Sequence, residues 1–147
     1  MSDAVSVTIT RQDNYKFLVD FGAGLPASTA DLAPPLGAGG GPSPEHLLSA
    51  AVANCLSASL VFAVRKFKED PGEMTTTVVC KTGRNATNRL RVEELQVTMR
   101  LSAAADSAAH LDRALAQFED FCTVSQSVRS GIPINLSILG ADGRKLK

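Results

Sequence analysis

The segment from residue 43 to residue 64 reads SPEHLLSAAVANCLSASLVFAV and decides the fold. The hydroxyl of Ser43 can accept a hydrogen bond from a free amide of a helix start. The ring of Pro44 already has a helical φ, and Glu45 places an acid near the positive end of the helix dipole. They predict a helix that starts here and runs to about Phe67. Because this helix is apolar on nearly every side, we expect it to lie in the middle of the fold.

Residues 47–64 carry no charge and are just long enough to span a membrane. Asn54 and three serines make the segment unusually polar for a lone span. The rest of the chain also has many half-apolar segments that need a central element on which to pack. A buried core helix is therefore the preferred interpretation, and we expect no membrane partner.

Alternating apolar and polar residues predict strands on both sides of this helix. Residues 5–10 and 15–21 alternate around a short polar turn, which predicts an opening β-hairpin. Residues 74–80 and 95–101 alternate in the same way and predict two further strands. Residues 22–41 are rich in Gly, Ala and Pro, so we expect them to form a surface connection.

A second helix is predicted from near Asp106, because apolar residues recur there at helical spacing. The apolar positions are Leu111, Leu115, Phe118 and Cys122. We expect this helix to break just past the cysteine and to resume as a short helix that ends at Gly131. A last strand at 134–138 and a loose basic tail at 140–147 follow. The order β-β-α-β-β-α-β predicts an α+β fold with an antiparallel sheet around a long central helix.

Length and composition restrict the class of protein. A chain of 147 residues suits a single domain over residues 1–147. Fifteen basic residues balance fifteen acidic ones, so the chain lacks the positive field that nucleic-acid binding needs, and we expect no nucleic-acid partner. Three cysteines without a C-x-x-C pair predict neither a disulfide scaffold nor a zinc site. The amino terminus lacks the pattern of a signal peptide, which predicts a cytoplasmic location.

The cysteines differ in their settings. Cys80 lies on a strand face with nothing to activate it, and we interpret it as a small core side chain. Cys55 lies in the middle of the central helix. A free thiol has a pKa of about 8.5 and is mostly protonated at neutral pH, so a reactive Cys55 needs a nearby cation. The alternative is a buried, inert thiol.

Glu45 and Cys55 are ten residues apart, about 15 Å along a helix and well around its axis, so they cannot meet within one helix. Their midpoint is Ala50. Two copies of the helix that cross antiparallel near Ala50 would bring Glu45 of one chain toward Cys55 of the other, as a two-fold dimer permits. Small residues around this point allow close helix approach. The alternative is that Glu45 merely favours the helix start.

The segment GGGPSPEHLLSAAVANC at residues 39–55, followed by FCTVS at residues 121–125, resembles the OsmC/Ohr family of peroxide-reducing proteins. The predicted order of elements agrees with that family over almost the whole chain. The resemblance implies an intertwined homodimer with each active site at the subunit interface. It also implies that Cys55 is the peroxidatic cysteine and that Cys122 is the resolving cysteine.

The same resemblance implies further site residues and a reaction. Glu45 matches the glutamate that follows Pro in the family, and an arginine from the opening hairpin, best matched by Arg11, should lie beside the thiolate. The implied activity is reduction of organic, lipid-type hydroperoxides through a Cys55 sulfenic acid that Cys122 resolves as a disulfide. A lipoyl-type or thioredoxin-like dithiol would restore the thiols. No metal, haem or flavin cofactor is required.

Some features of the sequence depart from the family pattern or allow a second interpretation. Thr123 stands where family members often carry Pro, and Arg129 is a second candidate for the activating arginine. An apolar lining would favour organic hydroperoxides, although each residue expected to form it is also an ordinary core residue. The expected lining residues are Leu48, Val52, Leu56, Leu115 and Phe118. The alternative function is a non-catalytic dimeric protein of the same fold that senses redox state or binds a small ligand.

Overall fold

A computed structural model describes residues 3–147 and contains two compact units. The amino-terminal unit ends at Leu47, and the carboxy-terminal unit begins at Leu48. Each unit contains one three-stranded sheet. The single domain expected over residues 1–147 stays a prediction.

The amino-terminal unit is built on the predicted hairpin. Strands β1 (Thr8–Asp13) and β2 (Lys16–Asp20) pair antiparallel around Asn14, which adopts the positive φ of 44° that this tight turn needs. A third strand, β3 (Ser28–Ala30), pairs with β2 on its other side. It was not predicted, because three residues within a Gly- and Pro-rich stretch give no periodic signal. The first strand starts at Thr8, later than residue 5.

The connection after β3 is organised around a buried carboxylate. Asp31 is 4% exposed and accepts hydrogen bonds from the amides of Leu32, Ala38 and Gly40 at 2.8, 3.2 and 3.0 Å. The bond from Gly40 leads the causes that lower the pKa of Asp31. A Cβ on Gly37 would lie only 2.1 Å from the Leu32 carbonyl oxygen, so only glycine fits there. This connection is therefore a shaped loop.

The long helix begins where the sequence predicts. Helix α1 spans Pro44–Arg65, and Ser43 precedes it as the capping residue. Nδ1 of His46 accepts a hydrogen bond from the Ser43 amide at 3.1 Å, which leaves one fewer free donor at the helix start. The helix ends at Arg65, slightly before the expected Phe67. The chain turns at Lys68, which has a positive φ of 61°.

The carboxy-terminal unit contains a sheet of strand order β4-β5-β6. Strands β4 (Met74–Arg84) and β5 (Leu90–Leu101) are antiparallel, and Glu93 of β5 is the extra residue of a bulge opposite Lys81 and Thr82. Strand β6 (Ile134–Leu139) runs parallel to β5, a parallel pairing in a sheet that was expected to be largely antiparallel. The helical connection between β5 and β6 is long enough to carry the chain back to the starting end of the sheet. The predicted α+β class is confirmed.

Helix α1 packs on the core of this unit through one side only. Its buried residues are Val52, Leu56, Ser59, Leu60, Ala63 and Val64. Its opposite side leaves Ala51, Ala58 and Phe62 exposed. The helix is long and apolar enough to cross a membrane, and 33% of its most apolar window is buried, which is weak support for a span. Its packed side supports the core-helix interpretation for this unit.

The predicted second helix is divided into short pieces. They are α2 (Ala103–Asp106), α3 (Leu111–Gln117), a 3-10 helix (Phe118–Phe121) and α4 (Thr123–Arg129). The break falls at Cys122 rather than just past it, because Cys122 has an extended backbone with φ −86° and ψ 96°. As its place on the apolar stripe predicts, the Cys122 side chain is fully buried.

The carboxy-terminal tail is not loose, so that prediction is wrong. The amide of Leu146 donates to the carbonyl of Ile138 at 2.7 Å, and the Leu146 side chain packs against the core. Nζ of Lys147 donates to the carbonyl of Leu115 at 2.7 Å and pairs with Glu119 at 2.6 Å. The apolar side chain of Leu146 and the ammonium of Lys147 therefore hold in place a segment whose composition predicted a loose tail.

Candidate active site

Two of the three cysteines lie side by side in the carboxy-terminal unit. Cys55 projects from the middle of α1 and is half-buried, while Cys122 is buried at the start of α4. Their side chains lie within hydrogen-bonding reach of each other, and both are free thiols. The structure therefore brings together the two cysteines that the family resemblance pairs.

The start of α4 points backbone donors at Cys55. The first amides of a helix have no partner inside that helix and need acceptors from elsewhere. The amide of Val124 donates to Cys55 Sγ at 3.5 Å, and the amide of Ser125 also donates toward this sulfur. The extended backbone of Cys122 sets this arrangement, because it ends the 3-10 helix and starts α4 at the same point.

The pKa of Cys55 is lowered. Burial acts in the opposite direction and is the largest single influence, since it penalises the thiolate. Hydrogen bonds from the Cys122 thiol, from the amides of Val124 and Ser125 and from the Ser59 side chain together outweigh it. Uncharged hydrogen-bond donors within one unit therefore stabilise the Cys55 thiolate, whereas the sequence predicted that a cation would do so.

The pKa of Cys122 is raised. Burial is the main cause, and the hydrogen bond to Cys55 adds to it. The side chain and amide of Ser125 act in the opposite direction. The Ser125 hydroxyl is buried and completes no hydrogen bond of good geometry with any residue in 3–147. The two thiols are therefore unequal, and Cys55 is the one that ionises first.

An apolar cleft opens beside Cys55. Its volume is about 450 Å³. It is lined by Cys55, Ala58, Ser59, Phe62 and Phe121. The rings of Phe62 and Phe121 meet edge to face with centroids 5.3 Å apart, although these side chains are 53% and 41% exposed. A small molecule with an apolar body could therefore reach the Cys55 sulfur.

None of the five residues expected to line a substrate site lines this cleft, and most of them have the core role that was their alternative. Four of them, Val52, Leu56, Leu115 and Phe118, belong to the buried core, and Leu48 is half-buried. Cys55 lies at the border between the buried and exposed sides of α1. The cleft is formed by residues three, four and seven positions after Cys55, the spacing of one helix face, and that signal was available in the sequence.

Arg11 and Glu45 belong to the amino-terminal unit. Nε of Arg11 donates to the carbonyl of Asn14 at 2.9 Å. The pKa of Glu45 is lowered by a hydrogen bond from its own amide and by one from the Ser43 side chain. Within residues 3–147 these two side chains form no ion pair with each other. The expected place of both residues beside Cys55 stays a prediction.

The other candidates do not line the cleft beside Cys55. The second candidate arginine, Arg129, pairs with Glu119 at 2.7 Å. Cys80 is half-buried and packs against the core, as predicted. The described part of the chain holds no group of three or more His, Cys, Asp or Glu side chains arranged to bind a metal ion.

The chain belongs to the OsmC-like protein family, whose model matches residues 37–137. No curated protein matches the sequence. The fold agrees with solved structures over nearly its whole length. An OsmC-like protein from Mycoplasma pneumoniae has a TM-score of 0.80 at 13% identity, covering 95% of this chain and 99% of that one.

Two further solved structures share the fold. An OsmC-like protein of unknown function from Vibrio cholerae has a TM-score of 0.79 at 15% identity, covering 94% of this chain and 100% of that one. An organic hydroperoxide resistance protein from Elizabethkingia anophelis has a TM-score of 0.73 at 18% identity, covering 94% and 96%. At these identities the similarity establishes the fold alone.

Proposed function

We propose that the protein is a thiol peroxidase that reduces organic, lipid-type hydroperoxides through Cys55 and Cys122. One observation carries the proposal: a thiol of lowered pKa contacts a second free thiol and borders an apolar cleft. Membership of the OsmC-like family supports it, as does the fold shared with an organic hydroperoxide resistance protein.

The first step oxidises Cys55. Its thiolate attacks the outer oxygen of the hydroperoxide, so a sulfur–oxygen bond forms and the oxygen–oxygen bond breaks. The leaving alkoxide takes a proton and departs as the alcohol, while Cys55 becomes a sulfenic acid. Amides at the start of α4 favour this step because they stabilise the thiolate.

The second step oxidises Cys122. Its sulfur attacks the sulfenic sulfur of Cys55, a disulfide forms and the hydroxyl leaves as water once it has gained the Cys122 proton. A dithiol of lipoyl or thioredoxin-like type then exchanges with this disulfide, is itself oxidised to a disulfide and returns both thiols. The proposed setting is the cytoplasm, where such reductants are maintained.

We further propose that the active form is a homodimer in which Arg11 and Glu45 complete the site. The exposed side of α1 carries small residues near the midpoint between Glu45 and Cys55, namely Ala50 and Ala51, that would let a second copy of the helix approach closely. In such a dimer Glu45 holds the Arg11 guanidinium by a paired contact, and the guanidinium hydrogen-bonds the peroxide.

A second candidate function is a redox sensor that forms one disulfide without sustained turnover. It is favoured by the groups that lower the pKa of Cys55, which are a thiol, two amides and a side chain of serine, with no cation among them. Such a site can form a thiolate without a guanidinium to guide the peroxide. Turnover distinguishes the sensor from the peroxidase.

The test is consumption of cumene hydroperoxide with dihydrolipoamide as the reductant. We expect many turnovers per chain for the unaltered protein and for Cys80→Ser, which serves as the matched control because Cys80 lies outside the site. Cys55→Ser should abolish turnover, and Cys122→Ser should stop catalysis after the first oxidation. If the unaltered protein consumes only one equivalent of cumene hydroperoxide per chain, the result would support the redox sensor instead.

A further inference from the structure

Glu119 lies in the 3-10 helix that precedes α4 and contacts both ends of α4. Its backbone carbonyl accepts hydrogen bonds from the amide of Cys122 at 3.0 Å and from Nε2 of Gln126 at 3.1 Å. Its carboxylate pairs with Arg129, the last residue of α4, at 2.7 Å. One residue therefore holds a seven-residue helix at its start, its middle and its end.

The second carboxylate oxygen of Glu119 binds the carboxy-terminal tail. Oε2 accepts a hydrogen bond from Nζ of Lys147 at 2.6 Å. The same ammonium donates to the carbonyl of Leu115 at 2.7 Å and lies 5.3 Å from the ring centroid of Phe118. The Glu119 side chain is only 20% exposed, so solvent screens its ion pairs less than it screens those of fully exposed side chains. The carboxylate is thus anchored to the tail as well as to α4.

Helix α4 needs such contacts because little within it fixes its direction. Its first residue is Thr123, at a position where Pro is favoured because the ring presets a helical φ. Threonine supplies no such restraint. A helix of seven residues is also too short to be stable on its own in water. The direction of its first amides, which donate toward the Cys55 sulfur, therefore depends on contacts from outside the helix.

We propose that Glu119 is a positioning residue for the cysteine pair. By holding both ends of α4, it keeps the Cys122 thiol and the first amides of α4 within reach of the Cys55 sulfur. This inference rests on the proposed function and adds a residue to it, because the proposed reaction needs the two thiols in contact when the disulfide forms. Glu119 does not line the cleft beside Cys55, and it acts only through α4.

The alternative is that the ion pairs of Glu119 only stabilise the fold, which ion pairs near a surface do weakly. The chain offers a matched control in Glu94 of β5, which is 22% exposed and pairs with Lys81 at 2.5 Å. Glu119→Ala and Glu94→Ala each remove one ion-paired, mostly buried carboxylate from the same unit. A purely structural role predicts that both variants, once folded, leave the reactivity of Cys55 unchanged.

The first experiment measures the rate at which iodoacetamide alkylates Cys55 as a function of pH. Glu119→Ala should raise the pKa of Cys55 and lower the rate at pH 7 by about threefold or more, because the amides of α4 lose their alignment with the thiolate. Arg129→Met should shift the rate in the same direction, while Arg129→Lys, which retains the cation, should stay close to the unaltered protein. Glu94→Ala should match the unaltered protein.

The second experiment follows disulfide formation without a peroxide. Diamide takes one hydrogen from each thiol of Cys55 and Cys122, becomes a hydrazine and leaves a bond between the two sulfurs. Glu119→Ala should slow this closure, whereas Glu94→Ala should not. Arg129→Met carries the same test if Glu119→Ala does not fold.

The inference is overturned if alkylation of Cys55 and closure by diamide are both unchanged in Glu119→Ala and Arg129→Met. An equal change in Glu94→Ala would also overturn it, because the effect would then follow from the loss of any ion pair. Neither assay uses a hydroperoxide, so the proposed function is tested separately. If the unaltered protein does not turn over cumene hydroperoxide although Glu119→Ala changes both assays, only the peroxidase proposal fails.

Discussion

The amide of Val124 donates a hydrogen bond to the sulfur of Cys55 at 3.5 Å, across 69 positions of sequence. The contact joins the middle of one helix to the first turn of another. A sulfur in mid-helix gains little from its own helix dipole, because that effect is confined to the terminal turns. The start of α4 therefore gives Cys55 what its own helix cannot, and several consequences can be measured.

The first prediction concerns ionisation of Cys55. Cys122→Ala removes the thiol whose hydrogen bond lowers the pKa of Cys55, so that pKa should rise. Because only the thiolate reacts, the rate of alkylation of Cys55 by iodoacetamide at pH 7 should fall by about threefold to tenfold. The rate of Cys55 alkylation, measured as a function of pH, gives the pKa of Cys55, and Cys80→Ala serves as the control. An unchanged profile would show that Cys122 does not tune Cys55.

The second prediction concerns the buried hydroxyl of Ser125. This hydroxyl acts to lower the pKa of Cys122, so Ser125→Ala should raise that pKa further and slow disulfide formation. Initial oxidation of Cys55 should change little, because the Ser125 amide remains. The sulfenic acid should therefore accumulate and react with a dimedone-type trap.

Stability provides the control for that variant. The Ser125 hydroxyl acts on Cys122 through a contact that lacks good hydrogen-bond geometry, so its loss should change the free energy of unfolding by no more than about 1 kcal/mol. Chemical denaturation of Ser125→Ala measures this value. Trapping no greater than in the unaltered protein, with stability preserved, would contradict the role assigned to the hydroxyl.

The third prediction concerns pH and the loop around Asp31. Because folding lowers the pKa of Asp31, its carboxylate contributes stability above the pKa of an unfolded aspartate, about 3.9, and loses that contribution as the pH falls through the folded pKa. Asp31→Asn should lower the melting temperature at pH 7, and the difference should shrink in acid. Thermal unfolding of both proteins at several pH values measures this difference in melting temperature. A difference that widens in acid would contradict the stabilising role assigned to the Asp31 carboxylate.

The fourth prediction concerns assembly. If the exposed side of α1 meets a second copy, a charge placed there should separate the subunits. The unaltered protein should sediment as a dimer and Ala51→Glu as a monomer, while Ala116→Glu on the exposed side of α3 should remain dimeric. A monomeric unaltered protein would remove the proposed contribution of Arg11 and Glu45 from a partner subunit.

Local signals in the sequence predicted the elements well. Ser43 and Pro44 locate the start of α1 because a helix start depends on adjacent residues. The features that were missed depend on distant contacts. The parallel pairing of β6 follows from where its chain returns to the sheet, and the fixed tail follows from contacts of Leu146 and Lys147 with earlier elements.

The same distinction applies to the site. The pairing of Cys55 with Cys122 came from the family resemblance, since nothing in a 67-residue separation specifies contact. The donors at the start of α4 could not be predicted, because they are backbone amides whose direction depends on the break at Cys122. The cleft was assigned to core-facing residues because apolar character alone does not distinguish the two sides of α1.

The central claim is that Cys55 and Cys122 form a redox pair driven by organic hydroperoxides. The most direct measurement is intact mass and peptide mapping after one equivalent of cumene hydroperoxide. We predict rapid loss of two hydrogens and a peptide linked through Cys55 and Cys122, with neither result in a Cys55→Ser variant. An unchanged mass, or a disulfide that includes Cys80, would contradict the account.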